Sequence, residues 1–178
     1  MEAECNLWSL RLFICTTHTM VSTEKFRERL LFWVLSYAIR GFMISGVSHI
    51  NLSVQDLETS FHFYTRVLDL KPLAKWKEGA YLLAGDLWFC LNLDPKTRVG
   101  PLPEYTHIAF CVSSQDFHSV STAIVRSGSV IWKRNSSPGY SFYFLDPDGH
   151  KLELHVSDWK TRVQVAKEEN WESMEFYV

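Results

Sequence analysis

The strongest constraint on this chain is a diverged internal repeat. His49-Ile50-Asn51-Leu52-Ser53-Val54 and His107-Ile108-Ala109-Phe110-Cys111-Val112 each start with histidine and alternate apolar with small or polar residues, the period of a half-buried strand. Each runs into a polar turn, Asp56-Leu57 in the first copy and Asp116-Phe117 in the second, and each turn opens a helical stretch. Leu57, Phe61, Tyr64 and Leu68 recur at helical spacing, and so do Phe117, Val120, Ile124 and Val125. Further strands follow near 70–75, 80–84 and 87–93, and again near 130–133, 141–145 and 151–156, with turns at Gly79, Gly85-Asp86 and Pro147-Asp148-Gly149. The expectation is an α+β fold of two paired βαβββ modules, about residues 43–100 and 101–160, with a C-terminal helix and tail over 157–178.

Size and charge agree with this. The chain has 178 residues, 47% hydrophobic, enough for one sizeable core and too few for two large domains. With a net charge of -2 and no run of Lys or Arg, it lacks the basic face of a nucleic-acid binder, and small-molecule or protein partners are expected. Cys5, Cys15, Cys90 and Cys111 form no C-x-x-C pair, which suits a reducing cytoplasm better than a disulfide framework. Residues 1–42 read differently from the rest. Their apolar run, residues 30–35, is flanked by Lys25, Arg27, Arg29 and Arg40, well short of the roughly 18 apolar residues a membrane span needs. Residues 1–42 are expected to be an extension outside the native domain, with Met43 as the true start; the alternative is an amphipathic helix over residues 22–40.

The repeat also organises the chemistry. His49 and His107 head equivalent strands, so symmetric pairing of the modules would turn both toward one cleft. On the last strand of the second module, Glu153 stands between Leu152 and Leu154 and must face the side opposite theirs. The matching strand of the first module offers Trp88 and Cys90 instead. One module therefore supplies the carboxylate, and His49, His107 and Glu153 form a candidate metal set with open positions for a Lewis-acid catalyst. Mixed imidazole and carboxylate suits Mn, Fe or Zn alike. His150 and His155 are rival ligands.

Gly46-Val47-Ser48-His49-Ile50, Tyr105-Thr106-His107-Ile108-Ala109-Phe110 and above all the stretch from Tyr143 through Asp146-Pro147-Asp148-Gly149-His150 to His155 closely resemble the fosfomycin resistance glutathione transferases of the vicinal oxygen chelate superfamily. That resemblance runs from Met43 to the C-terminus. It implies a module-exchanged homodimer in which His49 comes from one subunit and His107 and Glu153 from the other. It further implies Mn(II), an assisting potassium ion and glutathione as co-substrate. Carried over residue by residue, Lys133, Ser137, Ser141, Tyr143 and Arg162 would grip the phosphonate, chemistry suited to a dianion. Trp88 and Cys90 would line the cleft near the substrate, Tyr81 would sit by the attacking thiol and Trp76 would line the thiol channel. Asn135, Ser137, Gly139 and Ser141 would belong to the potassium loop.

The chain departs from that pattern in places. Asn51 stands where the family carries a threonine beside the bound substrate; it retains a donor of different reach and is expected in a catalytic role. Pro138 replaces a glutamate in the potassium loop. Glu78, just before Gly79, lies where related hydrolases place a general base, so water attack on the epoxide is the alternative reaction. A metal-free drug-binding protein of the same fold is a third reading, disfavoured because such a protein needs neither the two histidines nor Glu153.

Overall fold

A computed structural model describes residues 44–135, 139–169 and 173–178. The expectations for residues 1–42, Met43, Ser137 and Pro138 lie outside the described residues. The chain divides into two compact units, Met1–Gly46 and Val47–Val178. Of the first, the described residues Ile44, Ser45 and Gly46 are exposed; all that follows concerns the second.

In chain order its elements are β1 (His49–Val54), α1 (Leu57–His62) continued by a π-helical turn (Phe63–Val67), β2 (Lys71–Trp76), β3 (Gly79–Ala84), β4 (Leu87–Leu93), β5 (Ile108–Cys111), α2 (Phe117–Arg126), β6 (Ile131–Lys133), β7 (Tyr140–Leu145), β8 (Lys151–Val156) and α3 (Trp159–Glu168). They make two four-stranded sheets of the same topology, β1-β4-β3-β2 and β5-β8-β7-β6. Each meander returns its last strand beside the first, in parallel. The repeated βαβββ pattern is thus present in both halves.

The helices begin where the polar turns predict. Asp56 caps α1 by accepting from the Thr59 N–H at 2.7 Å, and Asp158 caps α3 by accepting from the Thr161 N–H at 2.8 Å. At α2 the arrangement differs, because Asp116 makes no side-chain cap. There Ser113 Oγ donates to the Asp116 carboxylate at 2.7 Å and accepts from the Asp116 N–H at 3.1 Å. The first helix widens after His62, with the Leu68 N–H reaching back five residues to the Phe63 carbonyl at 3.2 Å. Leu68 caps its end, and Asp69 just beyond is left-handed, with φ 57°.

Alternation sorts the two faces of each sheet. Leu52, Val54, Leu82, Phe89 and Leu91 of the first sheet join Phe144, Leu152 and Leu154 of the second in one hydrophobic core. Burying side chains of this size is worth roughly 1.5–3 kcal/mol each. Polar bonds between the modules converge on the turn from Asp146 to His150. Tyr64 donates its hydroxyl to Asp146 at 2.7 Å, Ser60 Oγ donates to Asp148 at 3.1 Å, and the Gln55 N–H donates to Asp148 at 2.9 Å. His150 Nε2 donates to the Ser53 carbonyl at 2.9 Å. His150 Nε2 is thereby engaged in joining the two modules. Gly149, at φ 87°, lets this turn close against residue 100; a Cβ there would stand 2.4 Å from the Gly100 carbonyl carbon.

Candidate metal centre

Because core-facing residues take one side of each sheet, the chemistry-bearing residues share the other. In the first sheet His49 registers with Trp88 and Asn51 with Cys90, and Tyr81 registers with Cys90 from the opposite side. Trp76, Tyr81, Trp88 and His49 form a continuous aromatic row, with successive ring centroids 4.7, 4.8 and 4.9 Å apart. Asn51 Oδ1 accepts from Asn92 Nδ2 at 3.0 Å. Cys90 is buried, and burial pushes its thiol pKa up, so it is a neutral wall rather than a thiolate.

The second sheet holds the denser cluster. Glu153 registers with Ala109 on one side and Tyr143 on the other, Lys133 registers with Tyr143, and Ser141 with His155. His107, immediately before β5, places Nε2 2.8 Å from Glu153 Oε2 and Nδ1 3.0 Å from the Tyr105 carbonyl. His155 Nδ1 lies 2.8 Å from Ser141 Oγ and 3.3 Å from Glu153 Oε1. Glu153 is 6% exposed. Burial alone would raise its pKa, but hydrogen bonds from Ser141, His107 and Tyr143 outweigh it and hold the carboxyl below its ordinary range. Lys133 donates Nζ to the Tyr105 hydroxyl at 2.7 Å and sits 4.5 and 4.9 Å from the Tyr105 and Tyr143 ring centroids. The Tyr105 bond chiefly, then the two tyrosines and Glu153 as charges, raise the lysine's pKa.

The structure thus brings together His107, Glu153, Ser141, Tyr143 and Lys133, and separately Trp76, Tyr81, Trp88, Cys90, Asn51 and His49. Arg162 lies half-buried on α3. Asn135 Nδ2 donates to the Gly139 carbonyl at 2.9 Å, linking two residues of the expected potassium loop. Glu78 is exposed in the turn between β2 and β3. The single cleft expected from symmetric pairing is not formed within one chain: among the described residues, no group of three His, Cys, Asp or Glu could hold a metal ion. Repeat symmetry holds, but the modules share one apolar core, and His49 and His107 belong to different sheets. A pocket of about 250 Å³ by Asp56 and Asp148 and an apolar cleft of about 400 Å³ by Ile50 and Phe110 include no candidate site residue. The candidate residues occupy the sheet faces instead.

Two residues escaped a site role in the sequence reading. Tyr105 anchors Lys133, and its position two before His107 was the available signal. His155, weighed only as a rival ligand, is a partner of Ser141 and Glu153. The donor set fits a divalent cation. His107 Nε2 and Glu153 Oε2 lie 2.8 Å apart and would be two of its donors, with any further protein donor coming from outside this cluster.

Residues 46–154 match the Glyoxalase family, described as the Glyoxalase/Bleomycin resistance protein/Dioxygenase superfamily. The chain is 45% identical over 136 residues to the glutathione transferase FosA of Serratia marcescens, a match covering 75% of this chain and 96% of that relative. It is 38% identical to a metallothiol transferase FosB of Staphylococcus epidermidis, covering 75% and 96%. Among solved structures it resembles the fosfomycin resistance protein FosX of Listeria monocytogenes, with TM-score 0.58 and 29% identity over 67% of this chain and 99% of that one. A Glu-to-Gln mutant of FosX, solved with Mn(II) and 1S,2S-dihydroxypropylphosphonic acid, gives TM-score 0.59 and 27% identity over 68% and 99%. The chain belongs to the glyoxalase/bleomycin resistance protein/dioxygenase superfamily and, within it, to the Fos proteins.

Proposed function

We propose that this chain is an enzyme that inactivates fosfomycin by adding a thiol, glutathione in the first instance, to its oxirane ring. The observation that carries this reading is the row Lys133–Tyr143–Glu153 beside His107 and Ser141. It sets a cation, two hydroxyl donors and a metal-type donor pair on one face, in a chain 45% identical to a glutathione transferase FosA. The FosB relatives are metallothiol transferases, so the thiol is the less constrained part of the proposal.

His107 and Glu153, with His49 supplied by a second copy of the chain, would hold Mn(II). The metal, when bound, supplies a Lewis acid that stabilises charge on the oxirane oxygen. The chain's own residues do the rest. Lys133, Ser137, Ser141, Tyr143 and Arg162 bind the phosphonate and fix the ring, and Asn51 donates beside the oxirane. Tyr81, between Trp76 and Trp88, holds the incoming thiol, whose proton passes to solvent as the thiolate forms. Sulfur bonds to the carbon next to phosphorus from the far side. That carbon's C–O bond breaks, and the oxygen keeps the electron pair and takes a proton from water. Asn135, Ser137, Gly139 and Ser141 would form the potassium site. The reading also places the domain at residues 43–178, as a homodimer working in the cytoplasm, without nucleic-acid or membrane partners.

The test is phosphorus NMR of purified protein with Mn(II), glutathione and fosfomycin. Absence of an adduct with any thiol sinks the transferase reading. Hydrolysis is the second reading, favoured by the diol bound to the FosX mutant. Diol formed without thiol and lost in Glu78→Gln would establish it instead.

A further inference from the structure

Strand β6 carries a bulge. Ile131 pairs with Phe144 and Lys133 with Tyr143, which leaves Trp132 as an extra residue outside the register. In a regular strand Trp132 and Lys133 would point to opposite faces. Here both reach the same two rings. The Trp132 indole stands 5.8 and 5.3 Å from the Tyr105 and Tyr143 ring centroids, and Lys133 Nζ stands 4.5 and 4.9 Å from them. The bulge therefore adds a tryptophan to the face that carries Lys133, Tyr143 and Glu153. The indole is anchored there. Its Nε1–H donates to the carbonyl of Leu152, the residue before Glu153, at 3.2 Å. The His107 ring lies 5.9 Å from it, tilted by 56°. His107 has a partner at each nitrogen, the Tyr105 carbonyl and Glu153. Those two contacts fix where the nitrogens lie but leave the ring able to rock about the line between them. Close packing beside the ring opposes that motion, and Trp132 packs against His107, Tyr105 and Tyr143 together.

We infer that Trp132 is a positioning residue: set on this face by the β6 bulge, its indole holds the His107 ring and, through Tyr105 and Tyr143, Lys133 in one arrangement. The use of that arrangement rests on the metal and phosphonate roles proposed above, but the restraint on His107 does not depend on them. One side chain would then link the metal donor to the cation that binds the substrate. Loss of the indole should loosen both, whereas a purely structural residue of β6 would affect neither beyond its effect on folding. Groups that orient a ligand typically alter metal affinity by about 10–100-fold when removed.

The experiment uses the full chain with carbon-13 in its histidine rings. In metal-free protein, relaxation of the His107 ring signal, assigned by its loss in His107→Asn, should report a restrained ring in wild type and a more mobile one in Trp132→Leu. Calorimetric titration with Mn(II) should find affinity lowered about tenfold or more in Trp132→Leu, and KM for fosfomycin should rise with it. Trp132→Phe keeps a ring without the N–H and should lose part of each. Ile131→Ala, beside the bulge and paired with Phe144, controls for damage to β6: it should lower the urea midpoint and leave the other readouts unchanged. Wild-type ring mobility, Mn(II) affinity or KM in Trp132→Leu, or equal changes in Ile131→Ala, overturns the inference. If Trp132→Leu fails to fold, Trp132→Phe carries the comparison, and wild-type values from it overturn the inference as well. If wild type binds no Mn(II), the metal reading falls on its own and the His107 ring mobility still decides the restraint.

Discussion

His107 Nε2 and Glu153 Oε2 stand 2.8 Å apart, and the far side of each group is already engaged: His107 Nδ1 lies 3.0 Å from the Tyr105 carbonyl and Glu153 Oε1 lies 3.3 Å from His155 Nδ1. Neither side chain can turn away without breaking a second contact, so the metal proposed above would find both donors in place. Mn(II) binding should release protons. Titrations in two buffers of different ionisation enthalpy should therefore give different apparent heats, and Glu153→Gln should weaken Mn(II) binding by more than about tenfold.

Tyr105 and Lys133 give the second prediction. The lysine ammonium is held at 2.7 Å by the Tyr105 hydroxyl, so Tyr105→Phe should release it from its preset place. Removing the charge outright in Lys133→Met should raise KM for fosfomycin at least about tenfold, because the phosphonate loses a charged donor. Tyr105→Phe should raise it less. Steady-state kinetics over a range of fosfomycin concentrations decide it; unchanged KM in both variants refutes a phosphonate role for Lys133.

Acid should unfold the metal-free chain in part through Glu153. Its folded pKa lies below the usual 4.5, so its stabilising contribution is present above that value and is lost as pH falls through the lower folded one. Thermal unfolding between pH 7 and pH 3 should show a shallower acid fall in Glu153→Gln than in wild type. Asp146, raised chiefly by burial, has the opposite sign, which makes the difference between the two proteins the quantity to compare.

Gly149→Ala should be costly. The new Cβ would meet the Gly100 backbone at 2.4 Å at a residue with φ 87°. Overpacking of about 1–3 kcal/mol adds to the left-handed backbone penalty of about 1–2 kcal/mol. Urea denaturation should show a lower midpoint with unchanged slope.

Much of the fold could be read in the sequence because β1, β5 and β8 alternate cleanly. Ile50, Leu52 and Val54 against His49, Asn51 and Ser53 leave one workable orientation. The same alternation placed Glu153 opposite Leu152 and Leu154. Other features were hidden for physical reasons. The spacing of Leu57, Phe61, Tyr64 and Leu68 tolerates an α-helix and an α-helix that widens into a π turn equally well. The Lys133–Tyr105 contact joins residues far apart in the chain, which no local period reports. The equivalence of His49 and His107 follows from the repeat, but a two-fold repeat is satisfied by pairing within a chain or between chains. Among the described residues of one chain the two form no three-donor group with Glu153.

The turn from Asp146 to His150 has a consequence for how such a gene can change. Asp146, Asp148 and His150 find partners in Tyr64, Ser60, Gln55 and Ser53, all in the other half of the chain. A product carrying only the second half would leave two carboxylates and an imidazole without those partners. One carrying only the first would expose its aromatic core. The two halves still share a plan, yet neither can be inherited, truncated or exchanged as a separate part.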